Sequence, residues 1–138
     1  MLALTNNISN EDAFIPPCKL AIKALLHSIP YTSANFEVPV ERDFIMNKIF
    51  EALANKEVDI RENAMQCLVE VGRQEYNYIQ HYFLKIAEVT SKAALHDESK
   101  VGAQGIEFWT TLAEEELTRE RRGAHLMGYI KNCKNDLL

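Results

Sequence analysis

The sequence predicts an all-α fold, an α-α superhelix of stacked helical hairpins, and three observations lead there. Apolar residues recur at helical spacing in successive blocks. The dipeptides that mark β-hairpins, Asn-Gly and Asp-Gly, do not occur. Only 5 glycines and 4 prolines interrupt 138 residues, so long structureless connections are not expected.

The first block covers about 17–27, with Cys18, Leu20, Ala21, Ala24, Leu25 and Leu26 on one face. Pro30 ends it, because proline lacks the N–H a helix interior needs, and Thr32 to Phe36 reads as a loop. The second block covers about 40–54, opened by Pro39 in a tolerated first-turn position and carried by Phe44, Ile45, Ile49, Phe50 and Leu53. A polar turn, Asn55-Lys56-Glu57, leads to the third block at about 58–73, with Ile60, Ala64, Met65, Cys67, Leu68 and Val71.

The fourth block reads as one helix over about 76–95, with Tyr78, Ile79, Tyr82, Phe83, Ile86, Val89 and Ala93. His96-Asp97-Glu98 forms the next turn, and Ser99 has the chemistry of an N-cap. The fifth block covers about 100–116, with Val101, Ala103, Ile106, Trp109 and Leu112. A charged stretch, 118–123, separates it from a final apolar segment at 125–138 that reads as a further helix.

Composition limits the function. The 47% apolar content suits a folded core, and 15 basic against 20 acidic residues give a net charge of −5. A nucleic-acid-binding domain usually carries a basic excess, so no nucleic-acid partner is expected. No apolar run approaches the roughly 20 residues of a membrane span, and the start of the chain lacks the basic flank of a signal peptide. Cys18, Cys67 and Cys133 form no CxxC pair and read as reduced thiols. His27, His81, His96 and His125 show no metal-ligand spacing. No cofactor, metal or catalytic constellation is expected, so the chain reads as a binding scaffold and not an enzyme.

The blocks also repeat. Cys18, Ile22 and Leu26 in the first align with Ile60, Ala64 and Leu68 in the third and with Val101, Gly105 and Trp109 in the fifth. The offsets are 42 (Cys18 to Ile60) and 41 (Ile60 to Val101). A period near 40–47 marks HEAT and armadillo repeats, whose hairpins bury their apolar stripes only by stacking. Lys19 and Arg61 share a position, where a basic group can reach acidic groups in the turns; Gly102 replaces them in the third copy. Gly102 and Gly105 cost about 1 kcal/mol each against Ala in a helix, which close packing would offset. The expected organisation is a single fragment, 1–138: the end of one repeat at 1–30, a second at 39–74, a third at 76–118 and the start of another at 124–138.

Three strings carry a more specific likeness. Ala34-Asn35-Phe36, Glu41-Arg42-Asp43-Phe44-Ile45-Met46 and Val101-Gly102-Ala103-Gln104-Gly105-Ile106-Glu107-Phe108-Trp109 resemble, in order and approximate spacing, the importin-β (karyopherin-β) family of nuclear transport receptors. The resemblance covers roughly 15–118; the stretch after Glu116 departs from it. It implies the end of the fifth repeat, the sixth and seventh, and the start of the eighth. It further implies that the first helix of each pair lines the outside and binds Phe-Gly nucleoporin repeats in shallow pockets, at Glu41, Phe44 and Ile45, with a second pocket at Ile49 and Ile86 or Val89. The inner face would contribute to binding Ran GTPase and importin-α or a basic cargo segment in the parent protein, with Glu70, Glu107, Trp109 and Glu114 as candidates. Location in cytoplasm and nucleus, with nuclear-pore and envelope association, follows from the same likeness.

The residues keep plainer readings open. Phe44, Ile45 and Trp109 also fit a buried core; Glu70 and the run Glu114-Glu115-Glu116 also fit a solvated surface. An unrelated HEAT-repeat scaffold or adaptor is the alternative. Repeat ends that expose apolar faces would favour self-association.

Overall fold

The computed structural model describes residues 17–130, and among them every regular element is helical. In order, these are α1 (Pro17–Ser28), a 3-10 turn (Ile29–Tyr31), α2 (Ser33–Glu37), α3 (Pro39–Leu53), α4 (Val58–Gln74), a second 3-10 helix (Tyr76–His81), α5 (Phe83–His96) and α6 (Ser99–Arg121). Helices α3 and α4 form one hairpin, α5 and α6 the next. α1, α4 and α6 pack side by side as one row, while α3 and α5 lie against that row as a second. The all-α helical-repeat expectation holds.

The row of α1, α4 and α6 is the densest part because its facing positions are apolar or small. Ile22 of α1, Ala64, Cys67, Leu68 and Val71 of α4, and Val101, Phe108 and Leu112 of α6 are all nearly free of solvent contact. Phe108 packs closely over Gly72: a Cβ there would stand 3.1 Å from the Phe108 ring. Burial pushes the Cys67 thiol up to about 12, so it behaves as a small hydrophobe.

Close approach explains both glycines of α6. A Cβ at Gly102 would stand 2.9 Å from the carbonyl oxygen of Ala93, and one at Gly105 would stand 3.1 Å from that of Thr90. The α6 backbone therefore lies against the α5 backbone, and the helix-propensity cost of two glycines is offset by that contact.

Charged side chains stitch the helices at their N-terminal ends. Asp59 accepts from Lys19 at 3.2 Å and from Lys100, linking α1, α4 and α6. The Arg61 guanidinium pairs with both carboxylate oxygens of Asp97 at 2.9 and 2.8 Å and donates to the carbonyls of Asn55 and Lys56. The bidentate pair ties the turn of one hairpin to the turn of the next.

Several local expectations need correction. The span 76–95 is not one helix: the 3-10 helix Tyr76–His81 precedes α5, because Tyr76 and Ile79 turn into the core and Tyr82 leaves helical geometry. Thr32 to Phe36 is not a loop, since 33–37 forms the short helix that drives Phe36 inward with no exposed surface. Ser99 is the first residue of α6 rather than its N-cap; Glu98 holds the cap position, and its N–H donates to Asp97 at 2.7 Å. The charged stretch continues α6 to Arg121. In the segment expected to be helical from His125, helical geometry begins at Tyr129. Its remainder, Cys133 included, lies outside the described residues, as does most of the first repeat fragment.

Candidate outer grooves and inner face

On the side of α3 and α5 the surface is furrowed. α3 and α5 both rest on the α1–α4–α6 row yet scarcely touch each other, which leaves a groove of about 420 Å³ between them. Phe50 and Leu53 of α3 form one wall and Val89 and Ala93 of α5 the other, with Met65 and Val101 beneath. Lys85, Glu88 and Lys92, one or two turns apart on α5, give that wall a charged rim. Phe50 also borders a second depression of about 470 Å³ with Tyr82, Phe83 and Leu84. Its ring lies 6.5 Å from that of Tyr82.

A third groove, about 550 Å³ and mostly apolar, runs between α1 and α3 along Cys18, Ala21, Leu25, Phe44 and Ala52. Phe44 stands at its rim, 63% exposed, with the Lys48 ammonium 5.6 Å from the ring centre. Such an exposed phenylalanine beside an apolar furrow is a ready contact for another apolar group.

The candidate outer residues fall in three environments. Glu41 and Phe44 are exposed, and Glu41 accepts from Asn35 at 3.3 Å. Ile45 and Val89 are half-buried, with Val89 on the groove wall. Ile49 and Ile86 have no exposed surface and belong to the core. Helical geometry places Ile49 on the inward face of α3 while its neighbour Phe50 and, one turn on, Leu53 reach the furrow. Phe50 and Leu53 are the lining residues that the sequence reading assigned only to a helix face.

The opposite side carries a shallower depression of about 660 Å³ across α1, α4 and α6, with Leu26, Pro30 and Val69 as its apolar part and Glu70 and Glu107 as its acidic part. Glu70 is half-buried and paired with Arg73 of its own helix, so it is not a free solvated charge. Glu107 is exposed. Glu114, exposed and two turns further along α6, falls on the same helix face.

Trp109 does not join this face. Its indole N–H donates to Thr90 Oγ1 at 2.9 Å, and its ring meets Phe83 edge-on at 5.7 Å, so it is committed to the α5–α6 contact. The run Glu114-Glu115-Glu116 is not uniformly solvated either: Glu116 is only 7% exposed and accepts three hydrogen bonds.

On the outer side, Arg42 is buried, donating to the Phe36 carbonyl at 2.9 Å and lying over the Tyr78 ring at 4.8 Å. It fixes the start of α3 against the 3-10 helix that precedes α5. Tyr82 adds a bond to Asp43, and burial raises its phenol above the ordinary range. No group of three or more potential metal ligands occurs among the described residues. No described helix is long and apolar enough to cross a membrane.

Three curated proteins align with most of the chain. The importin subunit beta-1 of Arabidopsis thaliana is 38% identical over 97 residues, that of Schizosaccharomyces pombe 32% over 98, and that of Saccharomyces cerevisiae 26% over 98. Each alignment spans 70% of this chain but 11% of the relative's own length. No protein-family model and no solved structure matches the chain.

Proposed function

Because this chain belongs to the importin-β family, as a segment matching about a tenth of such a protein, we propose that it serves as part of a nuclear import receptor and binds Phe-Gly nucleoporin repeats along its outer grooves. One observation carries this reading: the α3 and α5 helices are held apart, and the furrow between them offers an apolar strip of Phe50, Leu53 and Val89 among charged neighbours such as Lys85, Glu88 and Lys92. A phenylalanine ring seated on that strip would exchange water for contact with Phe50 and Leu53 on one side and Val89 on the other. Full burial of such a ring is worth roughly 1.5–3 kcal/mol. Contacts that weak become effective through repetition along a multivalent partner, which suits rapid transit through a pore.

The α1–α3 groove with Phe44 on its α3 side provides a second place for the same ligand, with Glu41 at the first turn of α3 and Ile45, packed against the core, supporting it. Ile49 and Ile86 act from beneath, supporting the groove rather than touching the ligand. In the parent protein, the face bearing Glu70, Glu107 and Glu114 would contribute to Ran GTPase and to importin-α or basic cargo through charge complementarity, with shuttling between cytoplasm and nucleus and association with the nuclear pore. The role is binding rather than catalysis.

The test is an NMR titration of the chain with a Phe-x-Phe-Gly peptide. Shift changes should cluster at Phe50, Leu53 and Val89 and at Phe44. Saturable binding that is unaltered by Phe44→Ala combined with Val89→Ser would sink the outer-groove reading, as would an absence of binding at millimolar peptide.

A further inference from the structure

The end of α6 carries a buried carboxylate that lines none of these grooves. Glu116 faces the segment that follows its own helix. Its Oε2 accepts from the Tyr129 backbone N–H at 3.0 Å and its Oε1 from that of Ile130 at 2.9 Å. The Tyr76 phenol also donates to Oε2. The same phenol oxygen accepts the Met127 N–H at 2.7 Å. The first N–H groups of any helix lack partners within it and carry partial positive charge. Glu116 supplies that partner from 13 positions upstream, through the fold rather than through the sequence next to the cap.

The connection between α6 and Tyr129 is built as a strap. It starts and ends on glycines with positive φ, Gly123 at +66° and Gly128 at +73°, a conformation other residues adopt at a cost. Between them, the Arg119 side chain donates to the His125 carbonyl at 3.2 Å while its guanidinium lies 4.2 Å from the centre of the Tyr76 ring. Tyr129 closes the strap by meeting Tyr76 edge-on at 5.4 Å and stacking on Phe83 at 5.1 Å.

We infer that Glu116 is a latch at this junction: its carboxylate holds the strap closed and fixes its Tyr129–Ile130 end against the α4–α6 row. With the latch released, the strap pivots on its two glycines while the hairpins behind it stay packed. In a stacked-helix protein the overall curvature sums small rotations between neighbouring units. A junction whose angle depends on one carboxylate is therefore a place where curvature can be reset. The equivalent acid one period earlier, Glu75, sits between α4 and the 3-10 helix, yet among the described residues its carboxylate accepts only from Ser33 at 2.9 Å and makes no capping bond.

Hydrogen exchange on the full chain tests this, comparing the amides of Met127, Tyr129 and Ile130 with those of Cys67 and Leu68 in α4. Glu116→Gln keeps the shape but turns one acceptor into a donor. It should speed exchange at Tyr129 and Ile130 by roughly tenfold, the equivalent of about one net hydrogen bond, with α4 unchanged. Tyr76→Phe should speed Met127 most and Tyr129 less. Unchanged exchange at Tyr129 and Ile130 in Glu116→Gln overturns the latch. Loss of protection throughout, α4 included, also overturns it, because Glu116 would then support the core rather than the junction. Tyr76→Phe gives the independent arm: an unaltered Met127 amide would contradict the role of the phenol.

Discussion

The two hairpins occupy equivalent places 41 residues apart, yet they use the same positions differently. Arg61 at the start of α4 corresponds to Gly102 at the start of α6, and Cys67 corresponds to Phe108. Arg61 reaches outward, ties down the α3–α4 turn and grips Asp97 of the next turn. Gly102 has no side chain to reach with and instead lets α6 settle against the Ala93 carbonyl of α5. One hairpin is held to its neighbour by a charged side chain, the other is held within itself by backbone proximity. A repeat position thus specifies a need, cohesion near the turn, that two different chemistries meet.

The sharpest way to break the second hairpin is through its largest buried ring. Phe108→Ala would leave a void above Gly72, and a loss of about 3–5 kcal/mol is expected in urea denaturation. Gly102→Ala comes next. Helix propensity alone favours alanine, but the added Cβ would stand 2.9 Å from a backbone oxygen. A net loss of about 1–3 kcal/mol is expected from overpacking; a gain would show that α6 has room to move and that the glycine is not there for contact.

The first hairpin breaks differently, through pH. Arg61 holds the Asp97 carboxyl below its ordinary range. A lowered folded-state value means the contribution is complete above the ordinary carboxylate range and is lost as pH falls from there through the lowered value. Glu75 has the opposite sign: burial raises it, so its ionised form opposes folding and acidification relieves that cost. Denaturation midpoints between pH 7 and pH 3 should therefore fall less steeply in Asp97→Asn than in the parent chain, and more steeply in Glu75→Gln. The smallest stability effect is expected at Phe44→Ala, within about 0.5 kcal/mol because the side chain is exposed. The same substitution should weaken Phe-x-Phe-Gly binding in the titration, so the two readouts separate fold from surface.

Much of this was legible in the residues. The period fixed where α3, α4, α5 and α6 begin to within a few positions, except that Tyr76 to His81 split away from α5. That split was hidden because a 3-10 helix and an α-helix both place apolar residues three or four apart, so Ile79 and Tyr82 fit either. Which of the adjacent Phe44 and Ile45 turns outward was not legible; the structure exposes Phe44 and half-buries Ile45. Nor was the burial of Ile49 and Ile86, since periodicity gives a face but not what covers it. Trp109 sits in the most specific of the three strings, and yet only Phe83 and Thr90, brought in from α5, determine where its ring points.

By itself the sequence determined the class, the repeat and the family, because apolar spacing, period and the three strings are properties of the linear order. Only the tertiary structure decided which candidate residues meet solvent and which carboxylates are charges on a surface. Glu114 and Glu116 stand two positions apart in one acidic run. The first is exposed, while the second is enclosed by Tyr76 and the N–H groups of Tyr129 and Ile130. Two positions along a helix turn a side chain by about 200°, and what waits on that other side comes from distant parts of the chain.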